Sequence, residues 1–67
     1  MLLLNHGHSM KIKNKTTQKE YSLNGSVNYV EDEVTYFAVS YVNEDVETCT
    51  ERFVQGEESN EEYTLIN

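Results

Sequence analysis

The chain has no proline, three glycines and one cysteine in 67 residues, and beyond Lys19 it carries one cation. Each shortage removes a class of explanation. A lone cysteine, Cys49, cannot build a disulfide framework and suits a reducing cytoplasm. The lack of proline and low glycine argue against a disordered tail, although a net charge of −7 leans towards one. The glycines are isolated, so they assemble no phosphate-binding loop. The N-terminal apolar run, Leu2-Leu3-Leu4, is far too short for a signal-peptide core or a membrane span. A chain of this length makes one domain at most, with a core that is marginal unless a staple or a partner supports it.

What is present is an uneven distribution of charge. Lys11, Lys13, Lys15 and Lys19 all precede residue 20, whereas from Glu20 onward twelve carboxylates face Arg52 alone, a balance of −11. The acids come in bunches: Glu31-Asp32-Glu33, Glu44-Asp45-Glu47, Glu57-Glu58 and Glu61-Glu62. Such a body repels nucleic acid and membrane surfaces and attracts basic protein surfaces.

Residues 1–9 differ in composition from the rest, and Met10 opens a lysine-rich stretch that reads as a natural start. Residues 1–9 are therefore read as a tag or upstream extension, and 10–67 as a single small domain. Their histidines, His6 and His8, supply two ligands, which do not make a metal site.

Five tyrosines, two phenylalanines and recurring valines point to strands. The expected fold is a small antiparallel meander sheet of four or five strands. Asn24-Gly25, between β-prone runs, is the clearest hairpin signal, because both residues tolerate positive φ. A three-residue loop there, with a glycine bulge, places Tyr21 and Leu23 on the same face as Val27 and Tyr29. Val34 to Val42 reads as a central strand, Asn43-Glu44-Asp45 as a polar break and Val46 to Val54 as a returning strand. Gln55 to Asn60 is loop-like, and Glu62 to Ile66 forms a last short strand. The alternative is an α+β fold with a helix at about 29–43. Val30, Val34, Phe37, Ala38, Tyr41 and Val42 also fall at helical spacing, and Asn28 with Glu31 resembles a capping box. The run of β-branched and aromatic residues, poor helix formers, favours the strand.

With turns at 24–25, 31–33 and 43–45, one face collects Tyr21, Leu23, Val27, Tyr29, Phe37, Val39, Tyr41, Cys49 and Phe53. The other collects Val30, Val34, Tyr36, Ala38, Val42, Val46 and Val54. One layer cannot bury two apolar faces. Two solutions follow: a homodimer buried through Phe37, Val39 and Phe53, or a sheet curled into a small barrel around its aromatic face.

Catalytic chemistry has no support in these residues. Cys49 has no histidine beyond His6 and His8, and its acidic surroundings lower thiol reactivity. Adjacent carboxylates in turns are ordinarily solvated, and the EF-hand spacing for calcium is missing. The expectation is a non-enzymatic protein with no cofactor and no metal site.

In size, acidity and lack of a catalytic set, the chain resembles small acidic phage-encoded inhibitors of the DNA-mimic type. That resemblance is one of class. It implies a cytoplasmic inhibitor that blocks a basic nucleic-acid-binding protein of the host, with carboxylates standing where phosphates would. The partner-facing residues expected on the charge argument are Glu31, Asp32, Glu33, Glu44, Asp45 and Glu47, with Tyr36 and Tyr41 adding aromatic contacts. The alternative is an accessory structural or interaction module, of a phage particle or a toxin–antitoxin pair, docking through a sheet edge or an apolar face.

Overall fold

The structure, a computed structural model, describes residues 10–66. The reading of residues 1–9 as a tag or extension lies outside that range. Five strands follow in chain order: β1 (Lys11–Asn14), β2 (Glu20–Glu31), β3 (Val34–Val42), β4 (Thr48–Val54) and β5 (Tyr63–Ile66). They form one antiparallel sheet in the order β4-β3-β2-β1-β5. The meander expected from the β-prone runs is the observed fold. The helix at about 29–43 does not form, because β2 and β3 pair with each other across that segment.

Three asparagines shape the connections. Asn14 anchors the β1–β2 turn: its Oδ1 accepts from the backbone N–H of Thr16 and Thr17, and its carbonyl accepts from Gln18. Asn43 does the same for the β3–β4 loop, with Oδ1 accepting from Asp45 and Glu47. Asn60 accepts from the N–H groups of Glu62 and Tyr63 ahead of β5. A side-chain amide that imitates a backbone turn in this way is the reason asparagine favours such positions. Asn24, by contrast, lies within β2 and in no connection.

The Asn24-Gly25 hairpin is the main correction to the sequence reading. β2 runs straight through both residues as a single strand of twelve. The turn lies earlier, at 15–19, and the lysine-rich segment before it is β1. The register shifts between Leu23, which faces Tyr41, and Gly25, which faces Ser40. Asn24 is the extra residue of a β-bulge, and its Oδ1 accepts from Ser40 Oγ at 2.6 Å. A Cβ on Gly25 would stand 3.0 Å from the Ser40 hydroxyl oxygen, so any larger residue would have to push that hydroxyl aside by a few tenths of an ångström. A bulge adds one residue and bends its strand. Because strand side chains alternate, it also exchanges the faces beyond it. Val27 and Tyr29 were expected beside Tyr21 and Leu23. They point instead to the opposite face, opposite Ala38 and Tyr36.

The bend decides where the core sits. The first part of β2 pairs with β1, and the second part with β3. β1 and β5 thereby curl over β3 and β4. Met10, Ile12 and Leu65 meet Val39, Tyr41 and Phe53 in one buried cluster, with Tyr21, Leu23, Phe37, Cys49 and Tyr63 packed around it. The Tyr21 and Tyr41 rings stack at 4.8 Å, and Tyr41 Oη donates to Tyr63 Oη at 3.1 Å. Burial holds the Tyr41 phenol well above its ordinary range, and the bond to Tyr63 reinforces this. At the far side, Asn60 Nδ2 donates to the Arg52 carbonyl at 2.9 Å and ties the approach to β5 onto the outer edge of β4.

Candidate protein-binding surface

The two acidic turns have different internal structure. Asp32 and Glu33 form a two-residue hairpin turn between the paired residues Glu31 and Val34, both at positive φ, 51° and 68°. This geometry matches strand twist, and it pushes both side chains into solvent. Glu31 is different: its carboxylate pairs with Arg52 on β4. At the other turn, Glu44 accepts from Lys19 Nζ at 2.8 Å and from Tyr21 Oη at 2.9 Å. The Lys19 bond, with its own backbone N–H and Tyr21 behind it, pulls the Glu44 carboxyl down to about 2. The same contact raises the Lys19 ammonium and the Tyr21 phenol. Asp45 is exposed, and Glu47 accepts from Asn43 Nδ2 at 3.3 Å.

Of the six carboxylates on these two turns, Asp32, Glu33, Asp45 and Glu47 are exposed and outside any ion pair among the described residues, while Glu31 and Glu44 already hold internal cations. The two turns stand at opposite ends of β3. Nine residues at about 3.3 Å each separate them by roughly 30 Å. That spread compares with a longest extent of 34 Å for the molecule.

The aromatic and apolar positions divide less simply. Tyr36 lies on the outer face, part-buried. Tyr41 is 3% exposed in the core, so it offers no contact surface, contrary to the aromatic role expected for it. Val39 and Phe53, each 1% exposed, and the part-buried Phe37 belong to the same core layer. The face expected to need a second copy is covered by β1 and β5 of the same chain.

A further cluster escaped the sequence reading. On the outer face Tyr29 stacks on Tyr36 with centroids 5.5 Å apart. The Arg52 guanidinium lies 4.1 Å above the Tyr36 ring and donates to Tyr29 Oη at 3.1 Å while pairing with Glu31. The Tyr29 and Glu31 contacts raise the Arg52 pKa further, so its charge is permanent. Only the bulge at Asn24 brings Tyr29 to this face. The available signal was the lone cation itself: in so acidic a segment, Arg52 has carboxylates within reach wherever it lies.

Among the described residues no three His, Cys, Asp or Glu side chains gather as a metal-binding group. Cys49 is part-buried, with its sulfur 3.4 Å from Asn43 Nδ2. Glu51, beside Asn60, has its carboxyl raised by burial. A shallow groove of about 390 Å³ lies between the start of β2 and the β3–β4 loop, lined by Lys19, Glu20, Tyr21, Val42, Asn43 and Glu44. The Lys19–Glu44 pair spans it. Among the described residues no helix is long and apolar enough to cross a membrane. No family model, curated protein or solved structure matches the chain.

Proposed function

We propose that this protein is a non-enzymatic acidic binding protein that occupies and blocks a basic nucleic-acid-binding protein, its carboxylates standing in for backbone phosphates. The observation that carries this reading is the placement of Asp32, Glu33, Asp45 and Glu47 on hydrogen-bonded turns at the two ends of a paired sheet. Charges on such turns are held in a fixed array, which lowers the ordering cost of binding. A channel built for DNA meets one phosphate about every 1.7 Å of helix axis, so an array spread over roughly 30 Å can engage several of its lysines and arginines. The same potential disfavours direct binding to nucleic acid. This is the behaviour of small phage-encoded inhibitors, and its setting is the host cytoplasm.

A second reading, an accessory interaction module, is favoured by one observation: the valines of the outer face, Val27, Val34 and Val54, are exposed. Salt separates the two. The immobilised protein is exposed to a bacterial lysate, and bound proteins are eluted with rising salt or with added duplex DNA. The proposal expects nucleic-acid-binding proteins that leave the column with either treatment. Retention of a partner that resists both contradicts it and supports the module.

A further inference from the structure

The outer face of β2, β3 and β4 combines an apolar surface with an acidic margin. Its centre is the stack of Arg52 on Tyr36 and of Tyr36 on Tyr29. Val27, Val34 and Val54 surround it, 60%, 36% and 40% exposed. At one end the β2–β3 turn brings Asp32 and Glu33, and the turn that follows β4, closed by Glu57 N–H on the Val54 carbonyl, brings Glu57.

We propose that this face is the docking surface for a basic protein partner. An apolar anchor of the partner covers Val27, Tyr29, Tyr36 and Val54, while its Lys or Arg side chains reach Asp32, Glu33 and Glu57. The inference rests on the acidic-binding reading above and adds where the partner sits and what it must carry.

Area and charge select this occupant. Three strands about 4.8 Å apart and seven residues long present roughly 330 Å². A stable interface needs about 800 Å² on each side. An occupant of the face must therefore extend over its margin, and at the turn end that margin is carboxylate. A second copy of this chain, at net charge −7, would bring like charges together there. Nucleic acid and anionic lipid meet the same repulsion. A protein with an apolar centre and a cationic rim satisfies both parts. The cluster also has the composition of an energetic centre, where tyrosine and arginine are enriched. Arg52 does not repel such a partner, because Glu31 neutralises it within the chain.

Random-sequence peptides displayed on phage and selected on the immobilised protein provide a probe that needs no known partner. Selected peptides are synthesised and titrated into the isotope-labelled protein by NMR. The expected consensus pairs Lys or Arg with an aromatic or aliphatic anchor. Amide shifts should fall on Val27, Tyr29, Tyr36, Arg52 and Val54 together with Asp32 and Glu33. The Val27→Ser/Val54→Ser double variant, verified as folded by its melting transition, should lose about tenfold in affinity or more. Basic peptides that shift only the acidic turns and tolerate the double variant overturn this docking face and leave the acidic-binding reading standing. Peptides that dock on the face without Lys or Arg, indifferent to salt, overturn the basic partner. Failure of every selected peptide to exceed its scrambled control overturns the docking surface.

Discussion

Along β3, Phe37, Val39 and Tyr41 alternate with Tyr36, Ala38, Ser40 and Val42, and the two sets meet different surroundings. The inner set packs against Ile12 and Leu65 from β1 and β5. The outer set shares its face with Val27, Arg52 and Val54, and these three are exposed. Hydrophobicity alone does not separate the faces. The bend in β2 does, because a curled sheet has only one inside. The apolar residues that fold stability requires are thus distinguishable from those it leaves free for contact.

Mutations on the two faces should differ most. Phe53→Ala removes a ring from the inner layer and should cost about 3–5 kcal/mol, close to the whole stability of so small a domain. Its neighbour Val54, on the outer face, should tolerate alanine within about 0.5 kcal/mol. Urea denaturation of both variants measures the contrast, and equal losses would break the distinction between faces. Next in size is Asn60→Ala. It removes the amide that holds Glu62 and Tyr63 and that reaches the Arg52 carbonyl, and should cost about 2 kcal/mol, with earlier amide exchange in β5 than in β3. If β3 and β5 exchange together, the curl does not depend on that tie.

Smaller effects concern the acidic loops. Val46 is 84% exposed and held at φ 59°, a conformation a β-branched residue resists. Val46→Gly should raise stability by about 1 kcal/mol by releasing that strain, read as a higher melting temperature. The smallest effect is the Lys19–Glu44 pair. The Glu44 carboxyl lies at about 2, below its ordinary 4.5, so its contribution is full above 4.5 and is lost as pH falls through about 2. An NMR titration should place its midpoint near 2, and Lys19→Ala should move that midpoint towards 4.5.

Much of the fold was legible in the residues. The β-branched and aromatic run from Val34 to Val42, the polar break at Asn43 and the closing strand before Asn67 correspond to β3, its loop and β5. The acidic turns were also legible, since charged residues between strands have solvent as their natural environment. Most of what was not legible came from one position. Asn24-Gly25 has the local chemistry of a hairpin, yet here asparagine bonds Ser40 and glycine leaves room for the Ser40 hydroxyl. Local propensity cannot tell a turn from a bulge, because both ask for the same residues. That error moved Val27 and Tyr29 to the wrong face and hid the Tyr29–Tyr36–Arg52 stack. It also hid β1, whose lysines look like a solvated leader until Ile12 is seen buried between them. The internal cations of Glu31 and Glu44 lie about twenty residues away or more along the chain, beyond any pattern of spacing.

The central claim is that exposed carboxylates on the two turns compete with nucleic-acid phosphate for one basic site. It is tested most directly by displacement of fluorescent duplex DNA from a captured partner, comparing this protein with the Asp32→Lys/Glu33→Lys/Asp45→Lys/Glu47→Lys variant. These four carboxylates make no ion pair among the described residues, so the variant should retain its melting transition. At a loss of about 2–5 kcal/mol per desolvated interfacial charge, it should fail to displace DNA at concentrations where the parent protein does so completely. Equal displacement by the two folded proteins in low salt would contradict the account.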